Sequence, residues 1–189
     1  NNIYISIKDL YLEAKLKCME SGELHLVFKN FQNLLSEVPN WNDEKVKEET
    51  DKIILNSKCD WIDDLITAVF VSHTRILTSI NVKKSNDKIN LKIPKSSEFI
   101  HNCFINTARN FWKNTYLFDD SLTNFQYQKN RKECDIVIVN TIEETVRLEL
   151  PVKNILNKYL DEDIKSESNK NNDLKSLILK EIENCSNEK

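Results

Sequence analysis

Glycine is nearly missing from this sequence. Of 189 residues only Gly22 is one, and the prolines number three, Pro39, Pro94 and Pro151, against average usages of roughly 7% and 5%. Phosphate-cradling loops, dinucleotide fingerprints and tight hairpin turns depend on glycine for positive φ or close backbone approach. A Walker loop, a Rossmann fingerprint and a multi-hairpin β fold are therefore excluded as readings. Long apolar runs are missing as well. Uninterrupted stretches such as Ala68 to Val71 fall far short of the ~20 residues a membrane span requires. An excess of one charge is also lacking: 27 basic against 30 acidic residues leave a net charge of −3, which argues against a surface built throughout for nucleic acid. The five cysteines, Cys18, Cys59, Cys103, Cys134 and Cys185, are odd in number and widely spaced, without a Cys-x-x-Cys pair. They read as reduced, mostly buried thiols rather than a disulfide framework.

What is present is helical rhythm, and the 40% hydrophobic content is enough to supply a core. From Ile5 to Ser21, Ile7, Leu10, Tyr11, Ala14 and Cys18 recur at three- and four-residue spacing, and Gly22 stands where a helix-stopping glycine belongs. A second stripe, Leu24, Val27, Phe28, Phe31, Leu35 and Val38, runs to Pro39, which is expected to restrict Val38 and end the helix. The pair reads as a helical hairpin. The charged stretch to Lys58, with Val46, Thr50, Ile53 and Ile54 on one side, reads as a surface helix. Asp60 is the expected N-cap of the next helix, whose face of Ile62, Leu65, Ile66, Val69, Phe70, Ile76, Leu77 and Ile80 marks it as the core element.

Residues 81–95 read as a Lys-rich loop, with Ser96 as N-cap of a helix carrying Phe99, Ile100, Cys103, Phe104, Ala108, Phe111 and Trp112. Its close, Tyr116-Leu117-Phe118, is expected to plug into the core. The run Asp135 to Val139 resembles a strand, yet Ile136, Val139, Ile142, Val146 and Leu150 keep helical spacing, so 125–150 is read as helix. Pro151 suits the first position of a short helix to Leu160. Residues 161–173 read as a flexible linker and 174–185 as a short amphipathic docking helix, with folding back on its own domain as its other reading. The expectation is an all-α bundle of about six to eight helices: a domain over 1–160, a linker and a docking helix, excerpted from a longer chain.

Candidate chemistry is sparse. The histidines are His25, His73 and His101. His101 and Cys103 lie two apart on a helix and point to different faces, which disfavours joint metal ligation. Cys103 sits on the apolar stripe, where a structural thiol is expected, and His73 reads as a polar group at the core edge. Asp60, Asp63, Asp64, Asp119 and Asp120 fall at helix ends, where capping accounts for them. Arg109 is expected to pair with a carboxylate or cap a helix. The aromatic residues Trp41, Trp61, Trp112, Phe111, Tyr116 and Phe118 read as core. No catalytic, cofactor-binding or metal-ligating residue is assigned, and no cofactor is expected. The candidate partner-binding residues are Lys83, Lys84, Lys88 and Lys92 of the loop, together with Leu174, Leu177, Ile178 and Ile182 of the terminal helix.

Several stretches taken together carry a resemblance. They are Pro39-Asn40-Trp41-Asn42, the helix from Phe99-Ile100-His101 to Ala108-Arg109, Tyr116-Leu117-Phe118, and Leu150-Pro151-Val152-Lys153-Asn154-Ile155-Leu156. Across roughly 37–160 the chain resembles a family of uncharacterised, virion-associated proteins of nucleocytoplasmic large DNA viruses. One departure is Thr115, which stands where that pattern has proline and leaves the helix end less sharply stopped. The resemblance implies a structural role, as a minor capsid or capsid-associated protein bridging major capsid protein capsomers, in the virion and, during assembly, in the host cytoplasm. The implied partners are the major capsid protein, other minor capsid proteins and the inner membrane surface, with no small-molecule substrate and no nucleic acid. The competing reading is a non-enzymatic cytosolic helical adaptor, or a nucleic-acid-binding factor using the lysines of 83–95.

Overall fold

A computed structural model describes residues 2–79, 93–150 and 152. Lys83, Lys84, Lys88 and Lys92, nearly all of the 81–95 loop, the Pro151–Leu160 helix apart from Val152, the 161–173 linker and the 174–185 helix with Leu174, Leu177, Ile178 and Ile182 lie outside the described residues. Among those described there are six α-helices and no strand, so the fold is all-α. The helices are α1 (Asn2–Ser21), α2 (Val27–Glu37), α3 (Asp43–Ser57), α4 (Ile62–Ser79), α5 (Ser96–Lys113) and α6 (Asn124–Glu149). The chain divides into two units, Asn1–Ser72 with Lys92–Leu150, and His73–Leu91 with Pro151–Lys189. The core and surfaces discussed below belong to the first.

Gly22 ends α1 as its position implies. At φ +73° it lets the Glu23 N–H reach the Cys18 carbonyl (2.9 Å) while its own N–H reaches Met19 (3.3 Å), the paired bonds of a Schellman stop. Pro39 acts differently from expectation. Val38 keeps helical backbone, φ −54° and ψ −40°, and a 3₁₀ turn over Val38–Asn40 follows α2. Proline's missing N–H ends the α-helical ladder, but a tighter turn that begins at Val38 does not need that donor. Asn42 then caps α3, accepting from the Lys45 N–H at 2.9 Å.

Two expected caps fall one residue off. α4 begins at Ile62, with the Leu65 N–H bonded to the Trp61 carbonyl, which leaves Asp60 a residue further out. α5 begins at Ser96 with Lys95 as its cap residue, so Ser96 is the first helical residue.

The core is built by α1, α2, α5 and α6, not by α4. Phe118, in a 3₁₀ turn over Thr115–Phe118, is its centre. Its ring lies 5.0 Å from Phe111, 5.1 Å from Phe31, 5.8 Å from Tyr4 and 6.1 Å from Tyr11, within the range of favourable offset and edge-on ring contact. The proline absent at Thr115 is replaced by Asn114, whose side chain bonds the Asn110 carbonyl at 3.0 Å and stops α5 there. Phe111 and Phe118 are buried as expected, Trp41 is half-buried, but Trp61, Trp112 and Tyr116 are exposed. Only Ile66 and Phe70 of α4's first-unit turns are fully buried, against α5 rather than in the main cluster.

The 135–139 run is helical, though its buried face is rotated from the expected one. Asn130, Cys134, Ile138, Thr141 and Thr145 face inward, whereas Ile136 and Val139 are exposed. A polar ladder explains the rotation. Asn102, Asn106 and Asn110 of α5 donate to Glu149, Thr145 and Thr141 of α6 at 2.8, 2.9 and 2.9 Å. Each step of one turn up α5 meets one turn down α6, which sets an antiparallel register.

α3 is less of a surface helix than its charge implies. Glu49 is only 3% exposed and accepts from Ser6 of α1 at 2.6 Å, while Lys45 and Lys52 flank it at 2.8 and 3.0 Å. Burial works to raise the Glu49 carboxyl, but the bonds from Lys45, Ser6 and Lys52 outweigh it and hold it below its ordinary value.

Two predictions follow from this packing. Phe118→Ala should cost about 3–5 kcal/mol by urea denaturation, more than any change at the exposed Trp112 or Tyr116. A carboxyl lowered on folding stabilises above its unfolded pKa, and that contribution vanishes as pH falls through the native one. Glu49→Gln should therefore lose about 1–3 kcal/mol at neutral pH and show a shallower loss of stability below the ordinary carboxylate range.

Candidate docking groove

The groups that could have done chemistry are already occupied. The His101 Nε2–H donates to the Val38 carbonyl at 2.9 Å, and its ring stacks on Trp41 at 6.1 Å. His101 is thus a strut between α5 and the Val38–Asn40 turn. His73 is exposed rather than at a core edge, and His25 is exposed as well. Cys18, Cys103 and Cys134 are buried and Cys59 is half-buried. Burial pushes the Cys103 thiol up to about 12 despite a hydrogen bond with Thr145, and burial likewise raises Cys134 to about 12 against the pull of Arg131. Both are protonated at neutral pH and poor nucleophiles. Among the described residues no three His, Cys, Asp or Glu side chains cluster so as to hold a metal.

Asp119 closes its own turn, accepting from the N–H and hydroxyl of Ser121 at 2.9 and 2.7 Å. Asp120 accepts from Tyr11 at 3.2 Å and pairs with Lys15 at 2.6 Å. Burial tends to raise Asp120, yet Lys15 and Tyr11 hold it below its ordinary value. Arg109 is exposed and reaches Asn106 at 3.2 Å, a side-chain amide rather than the carboxylate or helix end expected of it. Asp60, Asp63 and Asp64 are exposed around the start of α4.

Two concavities among the described residues bear on function. One is a polar cleft of about 400 Å³ among Tyr4, Lys8, Tyr11, Phe118, Asp120 and Tyr127. Its charges are spoken for: Lys8 donates to the Tyr127 hydroxyl at 3.1 Å, which lowers that phenol, and Lys15 neutralises Asp120. The other is a groove of about 210 Å³ lined by Ile62, Leu65, Ile66, Val69 and Phe70 of α4, Phe99 and Ile100 of α5, and Ile142 and Val146 of α6. Every lining side chain is apolar. Phe70 and Phe99 meet edge-on at 5.9 Å to form its floor, while Leu65 is 40% exposed.

The volume is below the roughly 300–1,000 Å³ of small-molecule sites, a size for inserted side chains rather than a whole ligand. Carboxylates lie close to it in the chain. Asp63 follows Ile62, Glu149 stands one turn beyond Val146, and Glu98 precedes Phe99. Burial raises Glu149, and the charge of Glu98 adds to that rise against the bond from Asn102, so these two carboxylates stand near one another.

All nine lining residues fall on the apolar stripes that the sequence shows, but the face of α4 is the one expected to form the core. The candidates in 83–92 and 174–182 lie outside the described residues. The missed signal is that the α4 face is broader than α5 and α6 can cover.

Fold and site together define an all-α helical bundle with an apolar groove. A family model described as "Family of unknown function (DUF5764)" matches residues 1–119, more than half of the chain, and the protein belongs to that family. The matched stretch carries α1 to α5 and the Phe118 turn, hence every ring of the core cluster. No curated protein and no solved structure matches the chain.

The thiol chemistry can be checked directly. With Cys185 replaced by Ser, Cys59 should react first with a thiol reagent at neutral pH. Cys103 and Cys134 should stay protected until urea unfolds the chain, and fast modification of either would contradict their burial.

Proposed function

We propose that this protein is a non-enzymatic structural component that works by docking other proteins, and that its setting is the one the sequence resemblance implies. It would be a minor capsid or capsid-associated protein linking major capsid protein capsomers. The observation that carries the docking reading is the groove of α4, α5 and α6. An open, wholly apolar trough between helices suits an amphipathic helix inserting side chains at three- and four-residue spacing. The neighbouring carboxylates favour a partner segment whose apolar face is bordered by Lys or Arg. Buried thiols pushed up to about 12 and a histidine engaged as a strut support a non-catalytic role. The capsid setting rests on the resemblance alone.

The test uses purified virus particles. The protein should be present in fixed stoichiometry to the major capsid protein, and Leu65→Lys together with Val69→Lys should lower its incorporation roughly tenfold or more, about 1.4 kcal/mol, with helicity and melting temperature kept. Absence from particles would sink the capsid setting. Unchanged incorporation of the groove variant would sink the groove as its docking site.

A further inference from the structure

α1 is apolar on two sides. Its inner stripe of Ile3, Tyr4, Ile7, Tyr11, Ala14 and Cys18 is buried in the core. On the opposite side Ile5, Leu12, Leu16 and Met19 are 46%, 40%, 60% and 57% exposed. A helix that needs one apolar face to fold has no internal use for a second, and contiguous exposed apolar surface of this kind marks an interaction site.

The outer stripe has the spacing of a coiled-coil seam. Ile5, Leu12 and Met19 recur every seven residues, and Asp9 and Leu16 fall between them at steps of four and three. Charges of opposite sign border the two edges, with Lys8 and Lys15 on one and Glu13 and Glu20 on the other. These positions identify the partner. When two copies of α1 lie parallel, each edge residue meets the one five further along the other helix, so Lys8 faces Glu13 and Lys15 faces Glu20 of the second copy. Antiparallel pairing would instead set lysine against lysine and glutamate against glutamate.

We propose that the outer face of α1 is the seam of a parallel, two-fold homodimer, a surface separate from the α4–α5–α6 groove. The two-fold axis runs along the helix pair, so the interface closes on itself and stops at two copies. Three of these edge groups already have partners within the chain, Lys8 with the Tyr127 hydroxyl at 3.1 Å, Lys15 with Asp120 at 2.6 Å and Glu13 with Lys17 at 2.6 Å, and each shares its remaining donors or acceptors with the second copy. Asp9 sits in the seam, where it faces its own counterpart and weakens the dimer. One helix of 20 residues against its copy falls below the ~1,200 Å² of standard interfaces, so association is concentration-dependent.

Sedimentation equilibrium of the full chain from micromolar to near-millimolar concentration should show the mass rising from one copy to two. Leu16→Glu should move that midpoint upward at least tenfold without changing the melting curve, and Asp9→Asn should move it downward. Glu13→Lys with Glu20→Lys should abolish self-association, and mixing with Lys8→Glu, Lys15→Glu protein should restore a one-to-one pair. Because Lys15 also holds Asp120, orientation is read independently: Ile5→Cys should cross-link to its own counterpart on oxidation, beyond the level of wild type treated alike. A single-copy mass throughout the range overturns the proposal, as does a midpoint indifferent to Leu16→Glu. Cross-linking of Ile5→Cys only to a Met19→Cys partner overturns the parallel arrangement.

Discussion

The bundle depends on one ring. Phe118 is the point at which α1, α2 and α5 meet, because its four aromatic neighbours come from those three helices. A phenyl group in such a position contributes through dispersion contacts on every side, and a gap of about 0.5–1 Å forfeits roughly a quarter to a half of each contact it opens. The geometry that delivers it is local. Asn114 stops α5, a single 3₁₀ turn reverses the direction of the chain, and the side chain of Asn130 reaches back from α6 to the Tyr116 carbonyl at 3.3 Å. The turn that carries this ring is thus held by polar bonds to the last turn of α5 and the second turn of α6.

α6 adds a different kind of specification. A purely apolar α5–α6 interface could slide by a turn at little cost, since one Ile or Val replaces another. The Asn–Thr ladder removes that freedom. Each bond contributes only about 0.5–1.5 kcal/mol net, but each partner left buried and unpaired by a slip costs about 1–3 kcal/mol. A slip of one turn re-forms two of the three rungs, so the penalty falls on the group left unpaired at each end of the ladder. Thr141 and Thr145 also return their hydroxyls to the carbonyls of Val137 and Thr141 at 2.7 and 2.8 Å, so those hydroxyls bond on two sides. Thr107, fully buried with a hydroxyl that has no hydrogen-bond partner, departs from this economy and subtracts from the stability of α5.

The helices are legible in the sequence because their apolar spacing and their stops are local properties; the job of Gly22 follows from its place directly after the α1 stripe. Which face of a helix meets which neighbour was not legible. α4 shows the strongest apolar face and was read as central, yet amphipathicity says only that a face prefers cover, not that cover is complete. α6 was read one face off because its inward stripe is Asn, Cys and Thr, residues that count as polar or small until the matching asparagines of α5 are beside them. Trp61, Trp112 and Tyr116 failed for a related reason: ring size sets how much can be buried, not whether the fold provides a place.

Those same mismatches locate the surfaces that matter. A chain with one glycine and helices stopped by short turns has little slack with which to absorb unused apolar area. Apolar residues left uncovered therefore stay presented on rigid helices, as at Leu65 and Val69 of the groove and at Leu12 and Leu16 of α1. Association costs less when the binding side chains are already ordered, since only the partner's freedom is lost. Rigidity bought through glycine poverty thus links the core to the surface, because the constraint that fixes Phe118 among its neighbours also holds the uncovered faces in a shape another helix can meet.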